Sequence, residues 1–543
     1  MQKVSLSILT ALLLLIGPAG GQTYPRDWNL DVLHYRFHLT LSDTTDRIQG
    51  RTDLTVRFRE EGRTGFALDL VGRGADGGTG MVVLRVARGG EDIQHRHEGD
   101  RLFISLSTPS RAEEERTFTV TYQGIPGDGL IIGTNRYGDR TFFGDNWPDR
   151  ARHWLPTVDH VSDKATVEWL VNAPEDYEVV ATGALVERSD LTDGTEFTHW
   201  VSGVPVPPKV MVMGAARFAI RTTGYVGNIP IQAWVYPQDR EAGFHDFSQA
   251  ERAVGFFQDR IGPFPFEKLA NVQSKTRYGG MENAGNIFYS ERAVRGDGSN
   301  EGLIVHEIAH QWFGDSVTEA DWNHIWLSEG FATYFTHLYN EHFYGRDRLV
   351  QGMGRDRATV IRFLTQNPDL ALVPPGYEDP GELLNRNAYQ KGCWVLHMLR
   401  RVMGDDPFWS GIREYYDTFR DKTASTEDFR KVMEAASGLD LERFFHQWAF
   451  IAGHPVLEGT WTYDNSSGHL NVTIEQTQPR DFTFHFPLDL AVVSESGGVE
   501  AVSTVEISQK RQTFSFPADT EPSSVILDPD TWLLFEGGLT KGE

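Results

Sequence analysis

Leu303-Ile304-Val305-His306-Glu307-Ile308-Ala309-His310-Gln311-Trp312-Phe313 is the stretch on which the reading of this chain turns. Apolar residues surround it on nearly every side, so a helix here belongs in the interior. The spacing predicts a helix over 301–313. Asn300 can cap its start, Glu301 suits the positive end of its dipole, and Gly314 can end it. Residues four apart share a helix face, so His306 and His310 present two imidazoles one turn apart, enough to grip one Zn2+. Glu307 points to the side of that axis, where it can reach an activated water without being a ligand. A buried apolar helix has little structural reason to carry these three groups. The alternative is a chance match with two ordinary histidines.

The residues downstream weigh against chance. Trp326-Leu327-Ser328-Glu329-Gly330-Phe331-Ala332 opens a second helix, and Glu329 follows His310 by 19 positions. A second helix packed on the first supplies Glu329 as a third ligand and leaves the fourth position to water. Three protein ligands plus water is the catalytic arrangement of zinc, whereas structural zinc sites are closed.

HExxH, eighteen residues and then Glu resembles the gluzincin metallopeptidases, and three more segments narrow the resemblance to the aminopeptidase N family. Gly279-Gly280-Met281-Glu282-Asn283 looks like that family's exopeptidase motif, and Tyr389-Gln390-Lys391-Gly392 like its catalytic tyrosine motif. Ala151-Arg152 through Leu155-Pro156 to Asp159 and Lys164-Ala165 is similar to a segment of its N-terminal domain. The four motifs occur in the family's order, between about 150 and 455. The resemblance implies one Zn2+ per chain on His306, His310 and Glu329, Glu307 as general base, and Tyr389 as donor to the developing oxyanion. It also implies that the segment from Gly279 to Asn283 runs along the substrate, with the Glu282 carboxylate on its free α-ammonium. Gly279 and Gly280 permit close backbone approach there.

Two departures stand out. Several relatives carry an N-terminal-domain Gln or Glu that also holds the substrate amine; here that position falls near Asn146 or Trp147, neither charged. Gly280 stands where alanine is commoner. Asp315 and Asn323 could support the ligands from behind, although Asp315, just past a helix end, reads more simply as satisfying local backbone. His153, His160, His324 and His454 lie in family-like segments with nothing to mark them as ligands.

Beyond the motifs, the chain of 543 residues is long enough for about three domains, and its 40% hydrophobic and 23% charged residues suit a folded protein. Alternating runs such as Tyr35-Arg36-Phe37-His38-Leu39-Thr40-Leu41 predict an all-β domain over 22–220. Helical periods then dominate 221–454, at 249–260, 301–313, 328–343, 388–402, 406–419 and 426–436. Alternation returns over 455–543 at a length suited to a small β-sandwich. The expected fold is therefore α+β and multidomain: an N-terminal β-rich domain, a thermolysin-like, mainly helical catalytic domain, and a small C-terminal β-sandwich. The long helical C-terminal domain that closes over the active site in many relatives is not expected, which implies a more open cleft.

Residues 1–21 read as a signal peptide: Lys3, the short apolar run Leu6 to Ile16, then Ala19-Gly20-Gly21 before Gln22. That run falls well short of the ~20 residues of a spanning helix, so the expected location is periplasmic or extracellular, with no membrane span. The formal charge of −25 disfavours nucleic acid and anionic membrane as partners and suits peptides, here ones with a free N-terminus. A single cysteine, Cys393, excludes an internal disulfide and reads as a buried, inert thiol. Three function classes remain: a zinc aminopeptidase, which the Glu282 motif favours, a thermolysin-like endopeptidase, and an inactive peptide-binding protein. Side-chain preference and oligomeric state are not legible.

Overall fold

The computed structural model describes residues 25–74, 77–494 and 497–542. The expected signal peptide at 1–21 lies outside the described residues. The N-terminal region is built on an eight-stranded sheet in which Leu30–Thr40 and Ala165–Pro174 run parallel at the centre. Its first strand shows how sequence becomes register. Leu30 and Val32 face the core, then a bulge between Val32 and His34 inserts one residue, and the inward positions switch to Tyr35, Phe37 and Leu39. One extra residue moves a whole side-chain set to the other face of a pleat.

The four-stranded sheet that completes this region ends in sequence with Met213–Ala216. Ala219–Val226 already pairs in the next sheet, a five-stranded one ordered Ala219–Val226, Ile229–Val235, Leu269–Ser274, Asn286–Ser290 and Gly280–Met281. Leu269–Ser274 is buried along its whole length between parallel neighbours.

Nine α-helices follow among the described residues: α1 (Arg240–Phe247), α2 (Ala250–Arg260), α3 (Glu301–His310), α4 (Trp326–Tyr344), α5 (Arg346–Gln366), α6 (Gly392–Met403), α7 (Asp405–Phe419), α8 (Thr426–Ser437) and α9 (Glu442–Phe445). The helix expected over 301–313 ends at His310. Gln311 and Trp312 form a turn, Phe313 bridges to Val317, and the amide of Gly314, at φ +128°, donates to the Val317 carbonyl beyond the helix end. Asn300 does not cap α3 with its side chain; the amide is buried and donates to the Ala293 carbonyl at 2.9 Å. Tyr389, expected on the first turn of a helix from 388, lies in a single π-helical turn, Asn387–Lys391, that leads into α6. A Cβ on Gly330 would come within 2.8 Å of the Gly392 Cα, so only a glycine pair lets α4 and α6 approach this closely.

Beyond Phe450 the described residues carry strands only. They form a four-stranded sheet (Arg511–Pro517, His469–Gln476, Val456–Asp464, Glu536–Lys541) and a three-stranded one (Val499–Ile507, Phe486–Val493, Ser524–Leu527). The architecture is thus the expected one: β-rich region, helical region, and a β region beyond Phe450 that carries no long helix among the described residues. No helix among the described residues is long and apolar enough to cross a membrane.

Two lysines, Lys164 half-buried and Lys209 fully buried, join the N-terminal region to the segment after α3. The Lys164 ammonium donates to the carbonyls of Asp315 (2.9 Å) and Ser316 (2.6 Å) and to the Thr318 hydroxyl (3.0 Å). Lys209 pairs with Glu319 at 2.6 Å, both fully enclosed.

Candidate active site

α3 and α4 pack against each other and bring three donor atoms to one point. The Nε2 atoms of His306 and His310 are 3.2 Å apart, and Glu329 Oε2 lies 3.4 and 3.3 Å from them. A tetrahedral ion bound at about 2.0–2.1 Å needs donors about 3.3–3.4 Å apart, which this triangle supplies. Glu329 Oε2 is buried without a hydrogen-bond partner, while Oε1 accepts from the Tyr389 hydroxyl at 2.9 Å. A carboxylate oxygen placed between two imidazole nitrogens, and bonded to neither, is a donor set that fits a cation.

The ring orientation of His310 is fixed from behind. Its Nδ1 lies 3.2 Å from the Phe313 carbonyl and 3.0 Å from the Ser328 hydroxyl. Donation from Nδ1 leaves the Nε2 lone pair free to face the donor triangle. Gly314 makes room for this: a Cβ there would sit 2.4 Å from Ser328 Oγ. The side chains of Asp315 and Asn323, the candidates for this supporting role, bond to neither histidine ring; the Asp315 backbone amide donates to the His310 carbonyl at 3.1 Å. Asp315 is buried and accepts from Gln311 at 3.0 Å, and Asn323 donates to the Pro374 carbonyl. Ser328 is the residue that sequence reasoning missed.

Glu307 projects from the next position of α3 into the same cleft, and Gly280 explains its placement. A Cβ on Gly280 would lie 2.4 Å from Glu307 Oε1, so glycine in place of alanine lets the edge strand rest on this carboxylate. Burial pushes the Glu307 carboxyl well above its usual range; Glu282 and Glu329 add to the effect and His310 opposes it. His310 is subject to the same field. Burial works against its charge, yet Glu329 and Glu282 carry its pKa up to about 10. Burial and the neighbouring Glu329 push the Tyr389 phenol well above 10, which keeps it a hydrogen-bond donor. Its ring stacks on His306, with centroids 6.0 Å apart.

The segment Gly279 to Asn283 forms the cleft's edge. Gly279, Gly280, Met281 and Glu282 line a cavity of ≈ 250 Å³ together with His306, Glu307, His310, Glu329 and Tyr389. Asn283 is fully buried, and it is not part of that lining. Acceptor atoms of Glu282 and Glu307 and a His310 nitrogen all lie within 4.8 Å of one another. Gln311 ties this edge to the end of α3: its Nε2 donates to the Glu282 carbonyl at 2.8 Å, and its Oε1 accepts from the Gly285 amide at 2.8 Å. The structure also separates Asn146 from Trp147. Both Asn146 amide hydrogens go to the carbonyls of Pro208 and Met211, its oxygen accepts from the Trp154 indole, and the residue is enclosed. Trp147 reaches the cleft. His153, His160, His324 and His454 lie outside the cleft lining. Cys393 is buried, its Sγ 3.7 Å from Met353 Sδ.

Residues 246–448 match the model of the peptidase family M1 domain, a span that holds the donor triangle, Glu282 and Tyr389. Over these residues the chain is similar to peptidase family M1. Among similar proteins, a leukotriene A-4 hydrolase of Xenopus laevis is 24% identical over 434 residues, 75% of this chain and 68% of that protein. A glutamyl aminopeptidase of Sus scrofa is 26% identical over 332 residues, 58% of this chain and 35% of that protein. The crystal structure of Legionella pneumophila aminopeptidase A in complex with aspartic acid shares the fold, with a TM-score of 0.79 at 19% identity, over 94% of this chain and 60% of that one. The chain thus spans about two thirds of the first relative and about a third of the second.

Proposed function

We propose that this protein is a zinc-dependent aminopeptidase that hydrolyses the first peptide bond of peptides with a free N-terminus. The observation that carries the reading is the position of the Glu282 carboxylate, nearly enclosed and in the same cleft as the triangle of His306, His310 and Glu329. A carboxylate there closes the cleft to chain continuing past the scissile residue and offers the α-ammonium a desolvated, charge-assisted hydrogen bond. One Zn2+ per chain, held by the three donors, supplies Lewis acidity to the scissile carbonyl and to the attacking water.

The chain's own groups do the rest. Glu307 takes the proton of the attacking water on its carboxylate and passes it to the leaving nitrogen. Tyr389 donates its phenolic hydrogen to the carbonyl oxygen as that atom gains charge, exchanging the bond it makes to Glu329. Gly279 and Gly280 present bare backbone to the substrate. Glu282→Ala tests the exopeptidase assignment: KM for aminoacyl substrates should rise while zinc content stays at one per chain. Unchanged kinetics would remove Glu282 from amine recognition, and undiminished cleavage of N-acetylated substrates would make the protein an endopeptidase. We also propose export to the periplasm or the extracellular space, on the reading of residues 1–21. N-terminal sequencing of the protein from its native host should begin near Gln22.

A further inference from the structure

The substrate's first side chain is attached to the carbon between its ammonium and its scissile carbonyl. With Glu282 on the ammonium and the donor triangle facing the carbonyl, that side chain must lie against what remains of the lining. What remains is apolar or aromatic: Trp147, Tyr278, Met281 and Leu384, with Leu303 beside Gly279. The wall is preformed. Trp147 is almost fully buried and held edge-on between Tyr278 (centroids 6.0 Å apart) and Trp322 (5.5 Å).

Charge decides the rest. No Lys or Arg is part of the cleft lining among the described residues. The cations behind Tyr278 are already committed: Arg150 pairs with the enclosed Asp145 at 2.6 Å, and Arg277 pairs with Asp128. Three carboxylates, Glu282, Glu307 and Glu329, line the same cleft. An acidic first side chain would therefore lose its hydration, find no free cation and meet like charge. A basic one finds no carboxylate on the wall itself.

Resting on the aminopeptidase reading above, we infer that the site selects peptides whose first residue carries a large uncharged, apolar or aromatic side chain. Trp147, Tyr278 and Leu384 are its specificity-determining wall, and acidic N-termini are rejected. The preference is opposite to the one that the names of its glutamyl aminopeptidase relatives carry.

The test is kcat/KM on aminoacyl p-nitroanilides of leucine, phenylalanine, alanine, arginine, glutamate and aspartate, with the zinc-loaded full chain. Leucine and phenylalanine should exceed alanine by about 10–200-fold, the value of a few methylenes in an apolar pocket, and exceed glutamate and aspartate by about 100-fold or more. Leu384 is only partly buried, so Leu384→Arg should fold; by supplying the missing cation it should raise the glutamate-to-leucine ratio about 10-fold or more. Trp147→Ala should erase the preference for leucine over alanine. Cleavage that favours glutamate or aspartate, or is indifferent to side chain, overturns the inference and leaves the aminopeptidase reading intact. An unchanged ratio in Leu384→Arg overturns the wall assignment. Cleavage of none of the six removes the aminopeptidase reading, and the inference with it.

Discussion

Replacing Gln311 by leucine removes three hydrogen bonds while nearly preserving shape. Gln311 is fully buried; without its side-chain amide the Glu282 carbonyl, the Gly285 amide and Asp315 Oδ2, which now lie 2.8, 2.8 and 3.0 Å from it, are orphaned. A buried polar group left unsatisfied costs about 1–3 kcal/mol, so with three orphaned the variant should lose about 3–9 kcal/mol. In a domain of this size, at about 2–4 °C per kcal/mol, that lowers the unfolding temperature by about 6–36 °C. The catalytic effect follows from the same geometry. Gln311 sits directly after His310, a proposed ligand, and fixes the backbone of Glu282, so its loss frees the carboxylate proposed to bind the amine relative to the donor triangle. A misplacement approaching 1 Å costs up to about 100-fold, and we expect kcat/KM to fall by about 10–100-fold, mostly through KM. The assay is steady-state hydrolysis of a leucyl substrate alongside thermal unfolding and zinc content, with metal retained. A variant that melts and turns over like the parent would refute the idea that this side chain holds the exopeptidase edge in place.

Further predictions come from other contacts. Tyr389→Phe removes the hydroxyl 2.9 Å from Glu329 and should cut kcat by about 100–1000-fold with KM and zinc content little changed; a change confined to KM would make Tyr389 a binding group. Lys209→Met leaves Glu319 buried without its partner and should destabilise the protein by about 3–5 kcal/mol, with Glu319→Gln in the same chain recovering part of the loss; thermal unfolding of the parent, the single and the double variant decides. His397 is buried, with Nδ1 3.0 Å from the Tyr334 hydroxyl and Nε2 2.9 Å from the Thr531 carbonyl, and burial depresses its pKa well below 6.5. The unfolded chain then binds a proton below about pH 6.5 that the folded chain refuses, so stability should fall as pH drops from 7 to 5. His397→Gln should flatten part of that slope, and an identical slope in the variant would exclude His397 as its source.

The donor triangle is legible in the sequence because its geometry is local to two helices. His306 and His310 share a face by periodicity, and Glu329 opens the helix that packs on them. The strands of the N-terminal sheet are legible in the same way, from alternation, but the bulge at Val32/His34 is not. It is set by pairing with the neighbouring strand. Asn300 reads as a helix cap on local grounds and instead spends its amide on Ala293, a contact that exists only once the preceding loop has folded back. Ser328 stays hidden because its role depends on how α4 sits against the turn after α3. Gln311 carries a readable signal: a polar residue directly after His310 in an otherwise apolar run must find partners. The choice between Asn146 and Trp147 needs the fold, because only three-dimensional packing shows that Asn146 spends its amide on the scaffold.

The central claim is that one metal on His306, His310 and Glu329 hydrolyses the bond next to a free amine. Its most direct test is hydrolysis of a leucyl chromogenic substrate by the purified protein, before and after chelation, after zinc is returned, and with the substrate N-acetylated. The account predicts cleavage that chelation abolishes, zinc restores at one equivalent per chain, and acetylation prevents. Cleavage that survives the chelator, or that proceeds undiminished on the acetylated substrate, would contradict it.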